Sequence, residues 1–190
     1  MKKIIVPIII FSFFFTNAQI KFKPGIKAGL NSANITNTDF DAKTDFYIGA
    51  FTTIKFVDFY SLQPEIFYSG QGAKSNFSGE NDLELKYFTL AIANKFFPFK
   101  DMGLHAIVGP SFDFKVSDNF SSNGFEDPEG FDFGLFVGVG YELPFGLSVE
   151  ARYKQGIVDV FGRNVNDTIS FDELLANKVV QIGVTYQFDF

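Results

Sequence analysis

One histidine, His105, and no cysteine leave this chain few routes to covalent or metal chemistry. Without thiols there is no disulfide framework, no thiolate nucleophile and no cysteine-ligated metal. With one imidazole there is no multi-histidine metal site. What remains is a set of charges at two-residue spacing. Glu150, Arg152 and Lys154 alternate with apolar neighbours, as do Asp113 and Lys115; Lys27, Glu65, Lys95 and Asp132 sit in similar surroundings. That spacing puts residues on one face of a β-strand. Charges gathered on one face either pair into a polar core, because buried charge needs a partner, or line a proton or ion path. A lipid-directed enzyme would need a base beside a nucleophile. His105 opens one alternating segment, while Ser69 and Ser111 lie far along theirs, so no Ser-His-acid set converges. No catalytic residue and no cofactor are expected.

A second group of candidates is acidic. Thirteen of the 22 Asp and Glu residues fall in four long polar segments, which hold only Lys43, Lys74 and Arg163 as basic residues. Asp118, Glu126, Asp127 and Glu129 offer hard oxygen ligands, but their spacing is not that of an EF-hand loop. They are metal candidates by residue type alone. Solvated loops, divalent-cation bridging and capture of a basic or sugar partner all fit.

The elements that position these groups are strands. Val180, Ile182, Val184, Tyr186, Phe188 and Phe190 alternate with Gln181, Gly183, Thr185, Gln187 and Asp189. Such period-two patterning is that of a two-faced strand. It recurs in Phe22–Asn31, Leu62–Gln71, Leu104–Lys115, Phe131–Glu142 and Leu147–Lys154. It is weaker in Phe46–Lys55, where Tyr47 and Phe51 fall on the polar face. In Leu85–Phe96, Asn94 interrupts the apolar face and is placed near a membrane interface. Pro24, Pro64 and Pro110 donate nothing to a ladder and are read as bulges.

Eight strands result. Long connections (31–45, 72–83, 116–130, 155–177) alternate with short ones (56–60, 97–103, 143–146). This is the rhythm of an all-β, eight-stranded antiparallel up-and-down transmembrane β-barrel, with long loops outside and short turns in the periplasm. Strands of about 9–11 residues suffice to cross. Alternation alone does not say which face points outward; a soluble barrel would turn its apolar face in. Two features favour lipid. The polar face is rich in glycine, which suits a narrow lumen and would only weaken a solvent-facing strand. Aromatics also gather at both strand ends, as in the girdles of membrane barrels.

The N-terminus agrees. Lys2 and Lys3 precede an apolar run, Ile4 to Phe15, and then Thr16-Asn17-Ala18. This reads as a signal peptide, residues 1–18, leaving a barrel domain of residues 19–190. The run is too short for a membrane-spanning helix, which takes about 20 residues. No cysteine follows, so a lipoprotein anchor is excluded. A formal charge of -6 argues against nucleic-acid binding.

Several phrases resemble the PorT-like outer-membrane β-barrel family of Gram-negative bacteria: Gly25-Ile26-Lys27-Ala28-Gly29-Leu30-Asn31, Ser61-Leu62-Gln63-Pro64-Glu65-Ile66-Phe67-Tyr68-Ser69, Phe131-Asp132-Phe133-Gly134, Ala151-Arg152-Tyr153-Lys154-Gln155-Gly156-Ile157 and the closing Tyr186-Gln187-Phe188-Asp189-Phe190. Thr89-Leu90-Ala91 departs from the family's usual Glu-Ile-Pro run. The resemblance implies the barrel, an outer-membrane address in contact with outer-membrane lipid, and a C-terminal signal (Tyr186, Phe188, Phe190) read by the barrel-assembly machinery. It implies no settled activity.

The expectation is thus a structural or surface-interaction barrel. Its lumen would be filled by Lys27, Glu65, Lys95, Asp113, Lys115, Asp132, Glu150, Arg152 and Lys154, with Glu65 beside Lys95 and Asp132 near Lys115 and Lys154. An extracellular or periplasmic protein partner is expected, and the alternatives are an accessory of a secretion or envelope-assembly complex or a lipid-acting enzyme.

Overall fold

The computed structural model describes residues 21–35, 41–74, 82–99, 101–120, 128–157 and 176–189. The signal-peptide segment and Phe190 lie outside them. The described residues form eight strands: β1 (Lys21–Ile35), β2 (Asp41–Val57), β3 (Tyr60–Lys74), β4 (Leu83–Phe96), β5 (Leu104–Asp118), β6 (Phe131–Glu142), β7 (Leu147–Gly156) and β8 (Asn177–Gln187). Each pairs antiparallel with its sequence neighbour, and β1 closes on β8. Closure leaves no unpaired edge, which is what allows a sheet to sit in hydrocarbon.

Alternation dictates the faces as expected. Ile26, Leu30, Ile48, Val137, Val139 and Ile182 are each more than half exposed on the outer wall, while Lys27, Glu65, Lys95 and Arg152 are buried inside. Strand lengths are uneven. β1 to β5 run 14 to 17 residues, and β6 to β8 run 10 to 12. The short turns lie at one end, where β1 overhangs β8 by residues 21–24, while the excess of β2 to β5 beyond the roughly 9–11 residues a membrane needs rises on the loop side, as residues 115–118 of β5 do beyond β6.

Three expectations change. The prolines make no bulges. The ladder skips Thr52–Pro64 and Ile92–Pro110 and resumes in the same register, and it runs straight through Pro24. A single missing donor interrupts one bond without inserting a residue. The register shifts fall elsewhere, between Ala42 and Tyr47, Lys55 and Val57, and Lys86 and Tyr87. Second, β8 ends at Gln187; Phe188 adds one backbone bond to Pro24 O at 2.8 Å. Third, the faults in the apolar pattern are inward packing. Tyr47, Phe67 and Phe136 join Ala91, Ala93 and Ile107 in a buried cluster. Glycines make room for such rings: a Cβ at Gly183 would stand 2.1 Å from the Tyr47 hydroxyl, and one at Gly140 would stand 2.4 Å from His105 Nε2. Asn94 does face outward near the turn end, where its Oδ1 accepts from Tyr60 Oη at 2.8 Å and its Nδ2 donates to Val108 O.

Candidate functional site

The lumen is layered. At mid-height five charges from β1, β3, β4 and β7 form a continuous chain across it. Lys27 Nζ donates to Glu65 Oε2 at 2.6 Å. Arg152 grips both Glu65 oxygens, at 2.8 and 2.7 Å, and also reaches Glu150 Oε2 at 2.6 Å. Lys95 Nζ donates to Glu150 Oε1 at 2.6 Å. Gln63 adds a bond to Glu65 Oε1. The bidentate fork of Arg152 is the geometry that guanidinium and carboxylate favour. Aromatic faces complete the cage, with Lys27 Nζ 4.4 Å from the Phe67 ring centroid and Arg152 Cζ 5.1 Å from that of Phe136.

Above this chain Lys154 Nζ donates to Asp113 Oδ2 at 2.6 Å, and Thr89 donates to the other oxygen of Asp113. An amide network follows: Gln181 donates to Asn31, Asn31 and Gln71 to Ser69, and Asn177 to Gln71. At the loop end the filling turns apolar, with Ala73, Leu83, Leu85, Tyr87 and Phe120 packed together. Asn119 clips this cap down by accepting from Glu84 N and donating to Asp82 O.

The expected pairings therefore change. Glu65 does not meet Lys95. In register Lys95 lies opposite Ser61, and Glu65 lies opposite Ala91, four residues or about 13 Å apart along the strand. Lys154 bonds Asp113, and Lys115 bonds Asp118 at 2.9 Å and Pro128 O at 2.6 Å, rather than Asp132. Adjacency on paper assumed neighbouring strands, whereas a closed barrel lets long side chains bridge the lumen between strands far apart in sequence.

Asp132 is buried on the rung it shares with Asp113. Of the metal candidates, Asp118 spends its carboxylate on Lys115 and Phe120 N, Glu129 is exposed, and Glu126 and Asp127 lie outside the described residues. His105 is buried, with Nδ1 3.0 Å from Gly103 O, so that nitrogen carries the proton the carbonyl accepts. Its Nε2 is 3.8 Å from Glu150 Oε1 and meets no serine among the described residues. Tyr186 stands on the outer wall with its ring 5.2 Å from that of Phe188. Sequence reasoning missed Gln63, Tyr47, Phe67 and Phe136 as partners of the charges. Their signal was aromatic and amide residues on the polar face.

A closed eight-stranded barrel, apolar outside and polar within, defines a transmembrane barrel of the outer-membrane type. The family model described as outer membrane protein beta-barrel domain matches residues 15–162, and the chain belongs to that family; its place is the outer membrane. No curated protein matches the sequence. Among solved structures the fold is similar to Neisserial surface protein A (NspA), with TM-score 0.53, 13% identity, 88% of this chain and 97% of that chain. It is also similar to Ail, the attachment invasion locus protein of Yersinia pestis, with TM-score 0.50, 11% identity, 88% of this chain and 99% of that one. A second Ail structure holds the heparin analogue sucrose octasulfate.

Proposed function

We propose that this protein is a non-conducting, non-enzymatic barrel that presents an interaction surface outside the cell. The observation that carries the reading is the height of β2 to β5, whose 14 to 17 residues exceed what the bilayer requires. Extra strand length costs ordering entropy and raises the long acidic loops above the membrane. The lumen supports the reading through its cross-barrel ion pairs and apolar cap, since an eight-stranded lumen has room for its own side chains and little else. Reconstitution into planar bilayers tests it: the expected record is silent, and discrete open-channel steps overturn it. An unchanged lipid profile on deletion of the gene is expected from a non-enzyme. An acyl-chain change abolished by His105→Ala would reverse that.

Ail's binding of a sulfated sugar analogue suggests a glycan partner by analogy of fold. The acidic loops here would repel such a polyanion, so a basic protein or cation-bridged partner fits better. The second reading, an accessory of a secretion or envelope-assembly complex, rests on the PorT-like phrases. Crosslinking in intact cells separates the two: extracellular partners support the first, and periplasmic or inner-membrane partners the second. In either case residues 1–18 serve as the export signal, and Tyr186, Phe188 and Phe190 present the closing strand to the assembly machinery.

A further inference from the structure

The apolar belt of the outer wall is not level. On β5 every outward position from Leu104 to Val116 is apolar, a stretch of 13 residues. On β8 the run goes from Val180 to Phe188, and on β1 from Phe22 to Leu30, 9 residues each. All three begin at the turn end. With a rise of about 3.4 Å per residue and a strand tilt near 40°, the first climbs about 30 Å and the other two about 20 Å, on either side of the roughly 25 Å usual for such a band.

The difference falls at the loop end. Gln155, Lys178 and Asn34 stand side by side on one rung of β7, β8 and β1, with Ser32 exposed just below Asn34. Phe88, Phe114 and Phe131 share a rung of β4, β5 and β6, and Val116, 64% exposed, is one outward position higher. The two rungs lie at one height. Gln155 is three residues above Arg152, and Phe88 is three residues above Ala91, the rung partner of Glu65, which Arg152 grips across the lumen. Both rungs then climb with strand order, as the shear of the barrel requires. Among the described residues the outer wall of β7, β8 and β1 carries Lys178 and no carboxylate, and Lys178 makes no ion pair. Beside the tall run, by contrast, Lys86 and Glu84 pair with each other at 3.3 Å. A lysine, an amide and a hydroxyl are costly in hydrocarbon, and an exposed valine above a row of phenylalanines forfeits burial in water.

We propose that the outer leaflet meets this barrel on a slant, high at β5 and β6 and low at β8 and β1, and that the low side docks the phosphate of a lipid headgroup against Lys178, Asn34 and Ser32. The occupant is a lipid because the polar patch continues directly into lipid-facing wall: Val180 and Leu30, 45% and 58% exposed, lie immediately below it. Phosphate complements an unpaired ammonium flanked by hydrogen-bond donors. A bilayer tilts or thins at modest cost to follow an uneven apolar belt. Thr44 and Lys86, polar outward groups of β2 and β4, keep the extra length of those strands clear of hydrocarbon, so only the top of β5 is drawn in.

The absence of cysteine makes the test direct. Val116→Cys and Ser32→Cys, each carrying a nitroxide, are read in vesicles of phosphatidylethanolamine and phosphatidylglycerol. Collision with oxygen, which concentrates in hydrocarbon, is compared with collision with a nickel chelate, which stays in water. The oxygen-to-nickel ratio is expected to be several-fold higher at Val116 than at Ser32. Phe131→Cys and Thr44→Cys, on the same two faces, replace either site that folds poorly. Adding Lys178→Val should raise the ratio at Ser32 several-fold, since the headgroup loses its anchor and the apolar run gains a position; Lys178→Arg should leave it low. Equal ratios at the two sites, or a higher one at Ser32, overturn the slant. A Ser32 ratio unmoved by Lys178→Val overturns the phosphate dock.

Discussion

The barrel fills its lumen in two different ways. At mid-height the filling is charged, and its partners are 38, 55 and 87 residues apart in sequence. At the loop end it is apolar, built from Ala73, Leu83, Leu85, Tyr87 and Phe120 around one hairpin and its neighbour. Both exclude space, but the costs of breaking them differ. Removing one partner of a buried ion pair leaves a stranded charge, whereas trimming an apolar side chain leaves only a void. The charged band specifies which strands face each other across the barrel; the apolar cap only requires volume.

Arg152→Met should break the charged band most severely. It removes the fork that joins Glu65 to Glu150 and leaves each with a single lysine partner, Lys27 and Lys95 respectively, and the expected loss is about 3–5 kcal/mol, read from denaturant unfolding in micelles. Adding Glu150→Gln to that variant should deepen the loss, because buried Lys95 then loses its carboxylate; no further loss would mean that packing, not charge, sets the cost.

Leu85→Ala probes the cap. A loss of about 2–4 kcal/mol is expected, with no dependence on salt. A pronounced salt dependence would erase the distinction between the two layers. Asn119→Ala should cost less, about 1–2 kcal/mol, since it releases two backbone groups at the edge of the cap. Hydrogen exchange should then rise at Glu84 and leave Arg152 and its neighbours unchanged.

The smallest effect is expected at the rim. Lys43 reaches Glu84 at 3.2 Å, with the carboxylate side chain 43% exposed. Lys43→Gln should change stability by at most about 0.5 kcal/mol, and less at high salt. A loss as large as that at Arg152 would show that exposure does not separate these pairs.

Much of this architecture was legible in the residues. The alternation of Val180 to Phe188 and the glycines of the polar face sufficed for the barrel and for which face meets lipid. Even the misfits carried information: Tyr47 and Phe67 sit on the polar face because they pack against Lys27. The pairings were not legible. Glu65 finds Arg152 and Lys27, not Lys95, because register and closure bring β1, β3 and β7 around one axis. The cap was invisible for the same reason, since Phe120 follows a strand and only the closed sheet gathers it with Leu83 and Leu85.

The chain by itself determined strand number, face and membrane address, because these follow from local periodicity and from how each residue type partitions between lipid and water. Tertiary structure alone decided which charge meets which, because those distances depend on the shear and closure of the whole sheet.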